Sequence, residues 1–362
     1  MISKGYEQEL FKRLPPRRHM YMYGLNNKGE KRQVTVLGKE HEYSLNIWNA
    51  VRTTYQVGRS ERILFWIERK GDSACGFLRA SPLGLSLLHV LQLPFDDIEA
   101  TLPDHHMNPL FDLLRKCSCS HIPDPSTLHD WRWEMDDKAQ ILLVSLNAVV
   151  HDLREGWRST ELQNALETAR RRSDKRWKRI KDLVSETFED CASVLPIRID
   201  LHFLMAEADY PFVPPVSAVE AHEFMVKMER YLREHHPLLR YAWAREYGTE
   251  TGFHFHLLVL LNGHIAQEGI STAKLIGEHW QQKITEGRGR YFNCNAHEYK
   301  TPVLGRIHFS NKLAITALLE ESSWYLAKTD IWMQYKGAGR SFATSRRYKQ
   351  RSPGGAKRKL SA

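Results

Sequence analysis

A chain of 362 residues with 42% hydrophobic and 26% charged residues has ordinary globular composition, with apolar content for two or three cores. Its formal charge of +9 is concentrated at one end: residues 336–362 hold nine Lys or Arg and no Asp or Glu, while the rest of the chain balances at 43 of each sign. No apolar run approaches the ~18 residues of a membrane span and no basic-then-apolar leader opens the sequence, which argues against an embedded or exported protein and for a cytoplasmic one.

The first 155 residues mix short aliphatic and aromatic segments, ILFWI at 63–67 and LGLSLLHVLQL at 83–93, with several proline breaks. They read as a mainly helical N-terminal domain of unknown role. Five cysteines, at 75, 117, 119, 191 and 294, are an odd set without disulfide-scaffold spacing, so reduced thiols are expected. Cys117, Cys119 and His121, with His105 and His106 upstream, offer metal donors, although C-x-C-x-H is an unusual spacing for structural zinc. Helices are predicted over 138–150 and 159–190. The middle of the second, ARRRSDKRWKRIK, carries eight basic residues around Trp177. Residues 156–192 therefore form a basic connecting helix, either merely solvated or a surface for a phosphate backbone with an aromatic for stacking.

Beyond residue 193 the pattern sharpens. PIRIDLHF at 196–203 alternates Ile197, Ile199, Leu201 and Phe203 against Arg198, Asp200 and His202, the period of a strand with one polar face. A proline loop, a capping box in Ser217 and Glu220, and an apolar stripe at Phe224, Met228 and Leu232 predict a helix. LLRYAWAREYG and GFHFHLLVLLNG follow as strands, then a helix begun by Ser271, then a strand between Val303 and Phe309. The order β, α, β, β, α, β predicts an α+β fold, a ferredoxin-like (split βαβ) antiparallel sheet with helices on one face over residues 193–335. A last helix, NKLAITALLEESSWYLAK, packs after it, and residues 336–362 form a basic tail.

His254 and His256 sit two apart on an otherwise apolar strand, so both rings project from one buried face. Each must surrender hydration and find a partner, and a shared divalent ion satisfies both. Glu246 on the preceding strand becomes a third ligand if the hairpin connection holds an odd number of residues. A two-residue turn of Thr249 and Glu250 would present Arg245 there instead. Two imidazoles and a carboxylate with open positions suit Mn²⁺ or Mg²⁺ beside phosphate, and equally catalytic zinc.

Tyr325 and Lys328 stand at i and i+3 on the final helix, a spacing that is common by chance. Together with the histidine pair, however, the phrases RIDLHF (198–203), GFHFHLLVLLNG (252–263), YLAKTD (325–330) and GRSFATS (339–345) resemble the HUH endonuclease superfamily of rolling-circle replication initiators. Within it they are most similar to the inovirus-type replication proteins and the YagK/YfjJ C-terminal domain family. The resemblance covers roughly residues 195–345, and it departs from the expected pattern at Ala343, where glycine is usual. It implies that His254, His256 and Glu246 hold the ion, Tyr325 attacks a phosphodiester and Lys328 assists.

An enzyme of this kind takes single-stranded or hairpin origin DNA and leaves a 5′-phosphotyrosine link and a primer for host polymerase, working beside a host helicase. Lys328 and Thr329 supply no second phenol, so it would be of the single-tyrosine type. Arg340, Arg346 and Arg347 are the expected phosphate partners, with Arg198 and His202 as further DNA contacts. Trp243, Trp324 and Tyr335 serve equally as stacking surfaces or as core. Two rival functions stay open: a metallohydrolase using the same His, His, Glu set with Tyr325 incidental, and a non-catalytic DNA-binding regulator.

Overall fold

Two of the prolines that punctuate the first half of the sequence, Pro82 and Pro109, are helix starts. Ser81 caps the segment Pro82–Leu91 by accepting from the Gly84 amide, and Asn108 caps Pro109–His121 by accepting from Leu110 at 2.9 Å. In each case proline fills the first helical position, where a missing N–H costs nothing. The computed structural model describes residues 19–25, 31–37, 39–69, 76–122, 124–128, 137–204, 215–248, 252–296, 305–327, 333–337 and 339–346. The chain divides into two units, Met1–Arg170 with Ile331–Gln334, and Arg171–Asp330 with Tyr335–Ala362.

The first unit is largely helical. A hairpin of β1 (His19–Leu25) and β2 (Lys31–Leu37) precedes α1 (Lys39–Arg59). A second hairpin, β3 (Phe65–Arg69) and β4 (Gly76–Ala80), leads into α2 (Pro82–Leu91) and α3 (Phe95–Thr101). Then come β5 (His105–Met107), α4 (Pro109–His121) and α5 (Asp137–Arg158). Ile47, Val51, Leu87, Leu91, Phe111 and Leu146 are at the centre of one buried cluster.

Helix α6 (Thr160–Asp190) carries the chain into the second unit, whose sheet begins with β6 (Ser193–Phe203). Next are α7 (Ala218–His235), β7 (Leu238–Gly248), β8 (Gly252–Asn262), α8 (Gly269–His279), β9 (Gly289–Asn293) and β10 (Ile307–His308). Helix α9 (Lys312–Ala317) widens into a π-helical turn at Leu318–Ser323 and resumes as α10 (Trp324–Ala327). Two short strands close the order, β11 (Met333–Tyr335), paired with β5, and β12 (Phe342–Thr344).

The sheet is antiparallel throughout, in the order β6, β8, β7, β12, with β9 and β10 sharing the outer edge of β6. β6 and β7 are joined through α7 with β8 between them, and β8 and β9 through α8 with β6 between them. Each crossover thus skips one strand and leaves β8 central, buried on both faces. Phe255, Leu257 and Val259 pack with Phe224, Met228 and Trp280 beneath α7 and α8. Leu258 and Leu260 pack on the other face with Ile180, Val184 and Phe188 of α6 and with Leu318, Leu326 and Ala327.

Four expectations are corrected here. Helices cover both faces of the sheet, because β8 alternates between two apolar sets and each needs its own cover. The strand closing the second crossover is β9, and the segment 303–309 contributes only the two-residue β10 at the edge; residues 303 and 304 lie outside the described residues. Helix α8 begins at Gly269 rather than Ser271, whose hydroxyl bonds back to the Glu268 carbonyl at 3.4 Å. In the predicted capping box Ser217 does accept from the Glu220 amide at 3.2 Å, but the Glu220 carboxylate goes to Arg288.

Leu258 is fully buried on the face shared with α6. Leu258→Ala is expected to cost about 2–5 kcal/mol by leaving a cavity under that helix. Urea denaturation followed by tryptophan fluorescence measures it, and a loss under 1 kcal/mol on the order of a surface change would show that the two elements are not packed as described.

Candidate metal centre

The β7–β8 hairpin decides which side chains share the polar end of the sheet. Gly248 pairs with Gly252, so three residues connect the strands, an odd number, and Glu246 stands opposite His254. Gly252 enters β8 with φ of 63°, a left-handed conformation that glycine adopts without the Cβ clash of other residues. Lower on the same pair the register shifts between Leu238 and Arg240. That bulge adds one residue to β7, so Leu238 pairs with Leu261 while the register above it keeps Glu246 opposite His254. Arg245 instead projects to the other face, where its guanidinium donates to the Ala218 carbonyl at 3.2 Å and lies over the Phe253 ring.

One ligand atom from each of Glu246, His254 and His256 lies within 4.8 Å of the others, and they are the one such trio among the described residues. Nε2 of His254 is 3.1 Å from one Glu246 oxygen, and Nε2 of His256 is 3.6 Å from the other. Metal–ligand bonds of about 2.1 Å place adjacent donors about 3.0–3.4 Å apart in an octahedron or tetrahedron; the His254–Glu246 distance falls in that range and the His256–Glu246 distance lies just beyond it. The three side chains are nearly buried, at 9%, 8% and 6% exposure for Glu246, His254 and His256.

Each ring is aimed by its other nitrogen. Nδ1 of His256 lies 2.8 Å from Asp200 Oδ1, and Nδ1 of His254 is 3.4 Å from the Gly252 carbonyl. An Nδ1–H donated to these oxygens leaves the Nε2 lone pairs directed at a common point, which is how carboxylate and carbonyl partners orient metal-binding histidines. Asp200 is steadied in turn by Arg198, whose guanidinium donates to its Oδ1 and whose own amide is held by Asn295 at 2.9 Å.

The charges follow from this packing. Burial raises the Asp200 carboxyl, but Arg198 and then His256 outweigh it and hold it far below the carboxylate range. Glu246 is likewise lowered, the two imidazoles overcoming burial. His256 is raised, because Asp200 and Glu246 outweigh the burial that disfavours its charged form. His202 stacks on His254 with ring centroids 5.4 Å apart, and burial followed by its histidine neighbour lowers it to about 3. It is a neutral ring beside the trio and adds no cation to compete with an ion. The donor set, its spacing and its oriented nitrogens fit a divalent ion held by Glu246, His254 and His256.

The other predicted residues fall in different places. Tyr325 stands in α10, whose Leu326 and Ala327 share a buried cluster with Ala244 and Leu258 on the histidine-bearing face. Its side chain, Lys328 and Arg347 lie outside the described residues. Arg340 and Arg346 are exposed at either end of β12. Arg198 is buried, and its guanidinium is engaged by Asp200 rather than presented to a phosphate.

The aromatic candidates have packing partners. Trp243 is core, donating to Glu229 at 2.7 Å; Trp324 packs edge-on against Trp177; and Tyr335 lies against Tyr247 and Phe253. The zinc alternative loses its geometry, because Cys117 and Cys119 project from different sides of α4, one buried and one exposed. Burial raises the Cys117 thiol to about 11, and His121 is engaged by Asp152 at 2.7 Å. No helix among the described residues is long and apolar enough to cross a membrane.

Sequence reasoning placed Asp200 only on the polar face of its strand. The β6–β8 register pairs it with His256, and that pairing gives it its place.

Residues 158–345 match the YagK/YfjJ C-terminal domain family. A protein of Escherichia coli strain K12, YfjJ, itself described as uncharacterized, is 30% identical over 101 residues, covering 23% of this chain and 49% of that protein. The chain thus spans about half the length of this relative. No solved structure matches.

Titration calorimetry with Mn²⁺ is expected to show one site that His254→Ala or Glu246→Gln abolishes and Asp200→Asn weakens about 10- to 100-fold. Because His256 keeps its proton to higher pH than an ordinary imidazole and must release it from Nε2, affinity should fall about tenfold per pH unit below that raised value. Binding that ignores pH, or survives His254→Ala, would place the ion elsewhere.

Proposed function

For a chain that belongs to the YagK/YfjJ C-terminal domain family, we propose a metal-dependent single-strand DNA endonuclease and strand transferase of the HUH type. In this reading it nicks the origin of a phage or other mobile element to start rolling-circle replication. The observation that carries the reading is the trio of Glu246, His254 and His256, with both Nδ1 atoms held from behind, on the sheet face against which α10 packs. The order β9, β6, β8, β7 with two helical crossovers supports reading the second unit as the ferredoxin-like sheet of that superfamily.

The chemistry asks little beyond these groups. A bound Mn²⁺ or Mg²⁺ would draw charge from a non-bridging phosphate oxygen and ease attack on a group that repels nucleophiles. Tyr325 supplies the nucleophile: its phenol gives up its proton and its oxygen bonds phosphorus. The 3′ oxygen leaves, takes a proton and is free to prime a polymerase. Lys328, three residues on in the sequence, favours the phenolate. Reversal by a later 3′-hydroxyl breaks the tyrosine link and reseals the strand, so no nucleotide is hydrolysed. His256 cannot swing from its place while Asp200 holds it, and Glu246, already ionised, needs no proton removed before it binds.

Single-stranded oligonucleotides tiled across the DNA flanking the coding sequence, incubated with the protein and Mn²⁺ and run on a denaturing gel, test the proposal. The expected result is a covalent protein–DNA band from one tile, lost in Tyr325→Phe and in His256→Ala. Cutting without a covalent band that persists in Tyr325→Phe would instead mark a metallohydrolase. Origin binding without cutting, unaffected by replacing both histidines, would mark a regulator.

A further inference from the structure

The charge on α6 is arranged in a way that helix stability does not explain. Residues 171–181 carry seven basic side chains and one acid, Asp174, whereas residues 182–190 carry four acids and no base. A helix macrodipole favours acids at the start and bases at the end, the reverse of this half-helix. Like charges also stand four apart at Arg171 and Lys175, Arg172 and Arg176, and Lys175 and Arg179, a spacing that weakens a helix.

The acidic end has a structural partner. Asp190 lies 2.5 Å and Glu186 3.7 Å from the buried guanidinium of Arg240, near the start of β7. The basic half lies toward the other end of that strand. Arg176 donates to Ser341 at 2.6 Å and Arg179 to Thr344 at 3.0 Å, on the strand whose Phe342 pairs with Ala244; Ala244 in turn pairs with His256. Beside it, Trp177 packs on Trp324 and Ser173 donates to the Ala327 carbonyl at 3.4 Å, so the basic half is also the neighbour of α10.

Ile180, Leu183, Val184 and Phe188 face the sheet, while Arg171, Arg172, Lys175, Lys178 and Arg179 are exposed. Arg176 and Arg179 stitch α6 to β12, at whose ends Arg340 and Arg346 are also exposed. One basic surface therefore runs across both elements and ends near the metal centre. A membrane surface is a poorer fit, because an interfacial helix needs an apolar face for lipid and that of α6 is spent on the sheet.

We propose that the basic half of α6 and the edge strand β12 form a track for the phosphate backbone of single-stranded nucleic acid, leading it to the metal centre. The track deepens the nuclease reading and rests on it for the choice of polymer, but binding along it requires neither ion nor Tyr325.

Fluorescence anisotropy of the full chain with a labelled 20-residue oligothymidylate, in EDTA and across about 50–200 mM salt, isolates this step. Wild type should bind with a steep salt dependence. Lys175→Gln with Lys178→Gln should reduce the slope of log affinity against log salt by about 1.4, since each lost phosphate contact on a single strand removes about 0.7. His256→Ala and Tyr325→Phe should bind as wild type does, which separates failure of the track from failure of the nicking chemistry. Both lysines are exposed, and an unchanged melting temperature confirms that the double variant is folded. Unchanged affinity and slope in that variant, or wild-type binding to phosphatidylserine vesicles in place of the oligonucleotide, would overturn the proposal.

Discussion

The pairing of Glu246 with His254 is the constraint on which the rest depends. Side chains alternate across a sheet, so a slip of one residue would put Arg245 or Tyr247 against the imidazoles and turn the carboxylate to the opposite face. Three features fix the pairing. The bulge between Leu238 and Arg240 shifts the count by one; the short connection after Gly248 meets a left-handed Gly252; and Arg245 is engaged by Ala218 and Phe253 on the other face. Burial of the apolar residues further along β7 and β8 makes any other register costly, because the same slip would exchange side chains between the two cores and set Trp243 where Ala242 and Ala244 now pack.

Around that pairing the polar residues form a chain of dependencies. Asn295 holds the backbone of Arg198, Arg198 neutralises Asp200, and Asp200 holds the ring of His256. A buried carboxylate and imidazole would be expensive if left uncompensated, and each member relieves that expense for the next. His256 consequently holds its proton more tightly than an ordinary imidazole, beside a Glu246 that loses its own more readily, so proton and metal compete for one nitrogen.

Helix α6 has two roles along one length. Its apolar stripe covers the sheet face that ends at the metal centre, and its acidic last turns secure Arg240, a guanidinium only 1% exposed. Its basic half rests against β12 and α10, so two elements late in the chain meet the one that precedes the sheet. The π-helical turn at Leu318–Ser323 lies within this cluster and changes the phase of the final helix, so the direction of any residue after it cannot be counted from Lys312 by the usual 3.6-residue period.

Local pattern was enough to determine much of the second unit: the alternation of 196–203, the stripe of Phe224, Met228 and Leu232, and the apolar run around His254 each specify an element because they report which face is buried. The two histidines were legible as a pair for the same reason, since a period of two leaves them no other geometry. What the sequence left undecided was whatever depends on a partner strand. The choice between Glu246 and Arg245 rested on how many residues join β7 to β8, and the place of Asp200 rested on the β6–β8 register. Arg198 looked like a surface cation until pairing buried it. The strand at 289–293 was missed because its RYFN alternation is short and half-exposed on an edge, where burial does not print a pattern. Only tertiary structure decided that both faces of the sheet are covered, because the second cover comes from elements at opposite ends of the domain, and no local pattern records how distant segments meet.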